Sequence, residues 1–133
     1  MHLGSLLKWP TSRSPGLAPS LYDVLREANS VPRSLPRAEV VAADEIAGTT
    51  RYPSNTTSDF LPVPAFRTKH WRDNWRRMIE AQERNVAMPP VELVKLGPRY
   101  FVVDGHKRVA YARRVGAVLD AVVVELRPTS SAA

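Results

Sequence analysis

The apolar positions of this chain switch rhythm several times, and each switch marks an element. Residues 1–19 are rich in Pro, Ser and Gly and show no period, the pattern of a mobile tail that Trp9 could pin. At Ser20 a helical signal begins. Ser20 and Asp23 form a capping-box pair, and Leu21, Val24, Leu25 and Ala28 recur on one face. That spacing predicts a helix of about two turns. Pro32 and Pro36 interrupt the chain, and Glu39 to Ile46 reads as a short strand and turn closed by Gly48. Residues 49–64 read as a loop, whose length suits mobility.

A longer helix follows, capped by Thr68 and running to about Asn85, with Trp71, Trp75, Met78, Ile79 and Gln82 on one stripe. Burial of that stripe accounts for both tryptophans without invoking base stacking. After Met88-Pro89-Pro90 the period shortens. Val91 to Leu96 and Arg99 to Val103 read as two strands joined at Gly97-Pro98. His106 to Val115 is a helix stopped by Gly116. Val118 to Leu126 is a last strand, too apolar at Ala121 to Val124 to have a wet face and therefore central in its sheet. The sum is an α/β (α+β) domain, a short mixed sheet with flanking helices, over residues 20–127. Tails occupy 1–19 and 128–133.

Composition narrows the chemistry. The 133 residues contain no cysteine, which excludes disulfides, thiolate catalysis and cysteine-bound zinc. No stretch approaches the roughly 18 apolar residues of a membrane span, and no secretory signal is evident, so the cytoplasm is the expected compartment and no membrane partner is expected. The net charge is +6, and 15 of the 19 basic residues are arginine. Arginine's fork matches phosphate, which permits nucleotide or DNA partners, but from charge alone codon bias and solubility are the favoured explanation. His2, His70 and His106 lack metal-ligand spacing. No Walker loop or dinucleotide fingerprint is present.

The segment with chemical content runs from Val102 to Ala110. A strand ends at Asp104, Gly105 turns the chain, and a helix begins. The first amides of a helix lack internal acceptors and carry partial positive charge, so phosphate is a natural guest there. Gly105 permits close approach of that guest. Helical side chains lean toward the N-terminus, so the Arg108 guanidinium can swing back to the same place, with His106 and Lys107 as further donors. Asp104 could orient Arg108, hold a metal ion or accept a proton. A plain turn beside a surface cation would use the same residues. The arginines and Lys69 of the 67–84 helix, interleaved with Asp73, Glu80 and Glu83, suit solvation better than DNA contact.

From Asn85 to Leu126 the chain resembles the ParB/sulfiredoxin-like superfamily. The resemblance rests on the order helix, Asn85 turn, Pro90-Val91 strand opening, hairpin, Gly-x-x-Arg at Gly105 to Arg108, a helix ending in Gly116, and a closing strand. It is nearest to small stand-alone ParB-like sequences that read Phe-Val-Val-Asp-Gly-His-x-Arg, and extends in weaker form back to Glu39. It implies a small α/β domain whose loop cradles nucleotide phosphates, with Arg51 as a further contact. Three chemistries are known on that fold: CTP binding and hydrolysis, ATP-dependent sulfinic acid reduction, and ADP- or ATP-dependent phosphorylation of free serine.

The departures select among them. His106 stands where sulfiredoxin has its cysteine, so the reductase chemistry is excluded. No helix-turn-helix segment follows the closing strand, so centromere recognition by that route is not expected. The resemblance therefore implies a phosphate-site protein binding CTP, ATP or ADP, with Mg2+ as an accessory, a partition-related role and a homodimer compatible with it. The alternatives are a small-molecule kinase or nucleotidase, with Asp104 or Glu45 as base, and a non-enzymatic DNA- or protein-binding module.

Overall fold

Gly97 is the point from which the sheet grows. It takes φ +58° ahead of Pro98, a combination that closes a two-residue hairpin between Leu96 and Arg99. The computed structural model describes residues 16–26, 31–51 and 54–128. In it β3 (Val91–Leu96) and β4 (Arg99–Asp104) form that hairpin. β1 (Arg37–Ala42), β2 (Ile46–Thr49) and β5 (Val118–Leu126) complete one mixed sheet in the order β1-β5-β3-β4-β2. β5 runs parallel to β3 and β2 parallel to β4, while the β1–β5 and β3–β4 pairs are antiparallel. β5 is interior, as its apolar run predicts, but the middle place belongs to β3.

Alternation along the strands builds two cores. Val91, Leu93, Tyr100, Val102, Ala121 and Val123 face one side. There they meet Trp75, Met78 and Ile79 of α2 (Lys69–Glu83) and Val109 and Ala110 of α3 (His106–Val115). Val94, Phe101 and Leu126 face the other side and pack on Leu21 of α1 (Leu21–Val24) and on Val31. Strands covered on both faces need apolar residues at most positions, which is why β3 to β5 show no clean alternation in sequence. Each fully buried side chain of this kind stabilises by roughly 1.5–3 kcal/mol over exposure. The result is a mixed α/β protein. Among the described residues no helix is long and apolar enough to cross a membrane.

Four expectations change. The Ser20–Asp23 capping box is present, but α1 is a single turn, because Leu25 leaves the helical region at φ −149° and Val24 is 49% exposed. Ala28 and Trp9 lie outside the described residues. The strand expected over Glu39 to Ile46 is two strands on opposite edges of the sheet. A 3-10 turn at Ala43–Glu45 carries the chain past the C-terminal end of α3, where the Ala43 N–H donates to Ala117 and Arg113 donates to the Ala43 and Ile46 carbonyls. The 49–64 loop is packed where it is described. Thr57 N–H donates to the Leu61 carbonyl at 2.7 Å, and Thr56, Thr57, Phe60 and Leu61 are buried. Leu17, placed in the tail by its sequence, bridges to Thr57.

Candidate functional site

α3 begins in a way that works against itself. Its N-cap, Gly105, sits at φ +106° and offers no side-chain cap, and its first turn contains no acidic residue. His106, Lys107 and Arg108 occupy that turn instead. Cations beside the positive end of a helix cost roughly 0.3–1 kcal/mol each. Gly105 is required twice over. A Cβ there would lie 2.6 Å from Val91 Cγ1, and φ +106° disfavours any side chain. The helix therefore opens with donors and without the carboxylate that usually balances them.

The same end of the sheet delivers Arg51. β2 runs parallel to β4 with Thr49 beside Val102, so the residues after Thr49 arrive at the Asp104 end of β4. The Arg51 backbone is fixed from two sides. Its N–H donates to Thr49 Oγ1 at 3.0 Å, and its carbonyl accepts from Ser20 Oγ at 2.7 Å. The Thr50 N–H donates to the Val102 carbonyl. Burial holds the Arg51 guanidinium below its ordinary value, opposed by the charge of Asp104. Lys107 is lowered for the same reasons, burial first and Arg51 second, with Asp104 opposing. One carboxylate thus faces an excess of positive charge. A bound anion would relieve that crowding.

Arg108 folds back toward the N-terminus of its helix. Its Nη1 donates to the Pro89 carbonyl, and its Nη2 lies 3.3 Å from the position a Gly105 Cβ would take. Arg51, Asp104, Gly105, Lys107 and Arg108 together border a cleft of about 580 Å³, a size typical of small-molecule sites. Arg108 also borders a second cleft of about 350 Å³ on its other side, with Pro89, Pro90 and Asp120.

His106, expected as a further donor, is tied into the fold. It is only 5% exposed, and its Nε2 pairs with Thr49 Oγ1 at 2.7 Å. Burial, then Arg51, push its pKa down to about 3, so it stays neutral. It borders the cleft and ties the start of α3 to the end of β2. Glu45 is not brought to the site. It lies in the 3-10 turn ahead of Ile46, which pairs with Tyr100 at the opposite end of β4 from Asp104. The order of the strands, invisible in the sequence, separates it from Asp104.

Sequence reasoning missed the rest of the cleft. Asn55, Phe60, Pro62, Phe66, Trp71 and Met78 line it. Trp75 is the core anchor that its stripe predicts, at 1% exposure, whereas Trp71 is only partly buried and reaches the cleft. An apolar Phe66 among prolines just before a capping threonine was the available signal. Among the described residues no group of three or more His, Asp or Glu side chains is placed to hold a metal ion. No family model, curated protein or solved structure matches the chain.

Proposed function

We propose that this protein binds a nucleotide through its phosphates at the opening of α3. The observation that carries the reading is an uncapped first turn flanked by Arg51, Lys107 and Arg108, with Asp104 as the single carboxylate among the described lining residues. Amides and guanidinium groups of this kind recognise phosphate bidentately and gain from the helix dipole. The sequence likeness to ParB/sulfiredoxin-like domains supports it, since the Gly105-to-Arg108 signature forms the strand-to-helix turn here. On that likeness the ligand is CTP, ATP or ADP. The outward face of α2 interleaves Asp73 and Glu80 with Arg76 and Arg77, which offers a DNA backbone no continuous positive track.

Calorimetric titration with ATP, ADP and CTP tests this. Arg108→Ala should weaken the tightest of them about 10- to 100-fold, the range of a lost charge-assisted hydrogen bond. No binding by any of the three, or equal binding by wild type and variant, overturns it.

A second reading, phosphoryl transfer or hydrolysis, is favoured by the placement of Asp104 in the same cleft. Mg2+ would fit as an ion that Asp104 shares with the nucleotide's own phosphates, where it would neutralise developing charge. Asp104→Asn should then abolish turnover while binding persists.

A further inference from the structure

The cleft is far larger than phosphates alone require, and Phe60, Phe66 and Trp71 bring three aromatic rings to its other lining. Phe66 ends a 3-10 turn, Pro64–Phe66, and remains 54% exposed. Its backbone is held in place. The Phe66 N–H donates to the Val63 carbonyl at 2.9 Å, and Arg67, next in sequence, donates through Nε to the Pro62 carbonyl at 2.7 Å. Trp71 stands one turn into the helix that follows. It is stacked on the buried Trp75 with ring centroids 5.5 Å apart and planes 17° from parallel. A half-exposed ring on a fixed backbone, lining the same cleft as a ring that already stacks, offers apolar surface to a planar guest.

We infer that Phe66 and Trp71 form a base-stacking wall, so that the ligand's nucleobase packs there while its phosphates lie at Gly105 and Arg108. The inference rests on the phosphate reading above and adds where the rest of the ligand goes. Charge is divided to match such a molecule. Arg51, Lys107 and Arg108 stand at the helix opening, and Phe66, Trp71 and Met78 contribute rings and apolar surface to the same cleft. A polyanion with no ring would leave the aromatic lining in water. An uncharged ring would leave the cations uncompensated. A nucleotide satisfies both, and stacking on protein rings needs no particular base, because every base presents a π face.

Tripolyphosphate separates the two claims, because it carries the charge without the base. Wild type and Phe66→Ala are titrated with ATP, CTP and tripolyphosphate. Phe66 is exposed, so its removal leaves the fold in place. Wild type should bind at least one nucleotide about 5- to 100-fold more tightly than tripolyphosphate, the range for one stacked base. Phe66→Ala should lose most of that advantage and leave tripolyphosphate binding unchanged. Tryptophan fluorescence should be altered by the nucleotide and not by tripolyphosphate, and Trp71→Phe should remove that change. If tripolyphosphate binds wild type as tightly as both nucleotides do, or if Phe66→Ala weakens all three equally, the stacking wall is wrong and the phosphate site stands. If neither tripolyphosphate nor nucleotide binds, the phosphate reading falls and takes the wall with it.

Discussion

The two ends of α3 use the same residue type to opposite effect. At the C-terminal end Arg113 is committed to the fold. Its guanidinium donates to the Ala43 and Ile46 carbonyls at 3.3 and 3.2 Å and lies over the Phe60 ring. A cation there also complements the helix dipole. At the N-terminal end Arg108 donates to the Pro89 carbonyl and borders two clefts. With Lys107 beside it, it opposes the dipole. One end is arranged for stability. The other retains a local electrostatic conflict, which is common where a ligand completes the arrangement.

Gly105→Ala should produce the largest effect, because it removes what both ends share, the entry of the helix itself. The new methyl group would collide with Val91 in the core and sit at φ +106°. Overpacking and left-handed strain together should cost on the order of 2–4 kcal/mol. Urea denaturation measures this. A loss below about 1 kcal/mol would mean that the turn can relax, and that its tight geometry is not what positions the site.

Arg113→Ala attacks the committed end alone. It strips a charged donor from two carbonyls and uncovers Phe60, a bulky residue held at φ +68°. We expect a loss of roughly 1.5–3 kcal/mol in the same denaturation assay, with nucleotide affinity reduced far less than by Arg108→Ala. Should Arg113→Ala instead weaken binding as much as Arg108→Ala while leaving stability intact, the division of labour between the two ends would be wrong.

That division explains what could be read from sequence. The helix α2, the β3–β4 hairpin, α3 and β5 announce themselves through local rules: a Thr68 cap, a Gly97-Pro98 turn, a Gly116 stop. Gly105, Lys107 and Arg108 fall within four consecutive residues, so their meeting is also a local fact. Glu45 and Thr49 are four residues apart, yet only Thr49 lies toward the Asp104 end of β4, because β2 runs parallel to β4 with Ile46 beside Tyr100 and Thr49 beside Val102. Phe66 and Trp71 reach the cleft by tertiary packing, which no periodicity encodes. His106 shows the same limit in electrostatic form. Its place in the first helical turn marks it as a donor, and nothing in that local position foretells its burial against Thr49 or its neutral state.

That neutrality has a pH signature, smaller than the Arg113 effect. The His106 pKa is about 3 in the folded protein and ordinarily 6.5. Between those values the unfolded chain binds a proton that the native state refuses, so stability is full above pH 6.5 and falls as pH falls. The slope approaches 1.4 kcal/mol per pH unit at most, or about 1–2 kcal/mol between pH 7 and pH 5. Glu39 and Asp73, both lowered from carboxylate values near 4, contribute below that window. Urea denaturation across that range should show the decline in wild type and a flat profile in His106→Gln. A wild-type profile that is already flat would place the imidazole in contact with solvent.

Lys107→Met gives the smallest effect and the sharpest contrast, because its two readouts should move in opposite directions. The substitution removes a cation that burial, Arg51 and the helix dipole all disfavour, and it keeps the apolar stem. Stability should therefore rise, by about 0.3–1 kcal/mol, while nucleotide affinity falls. The sign carries over to pH. A lysine whose folded pKa is below its ordinary 10.5 makes wild type gain stability as pH rises through the folded value toward 10.5, and the methionine variant should lack that gain. An increase in stability accompanied by weaker binding would identify Lys107 as a group kept for its ligand at the expense of the fold. A decrease in stability would mean that Asp104 outweighs the other influences, and that the N-terminal end of α3 is balanced without a guest.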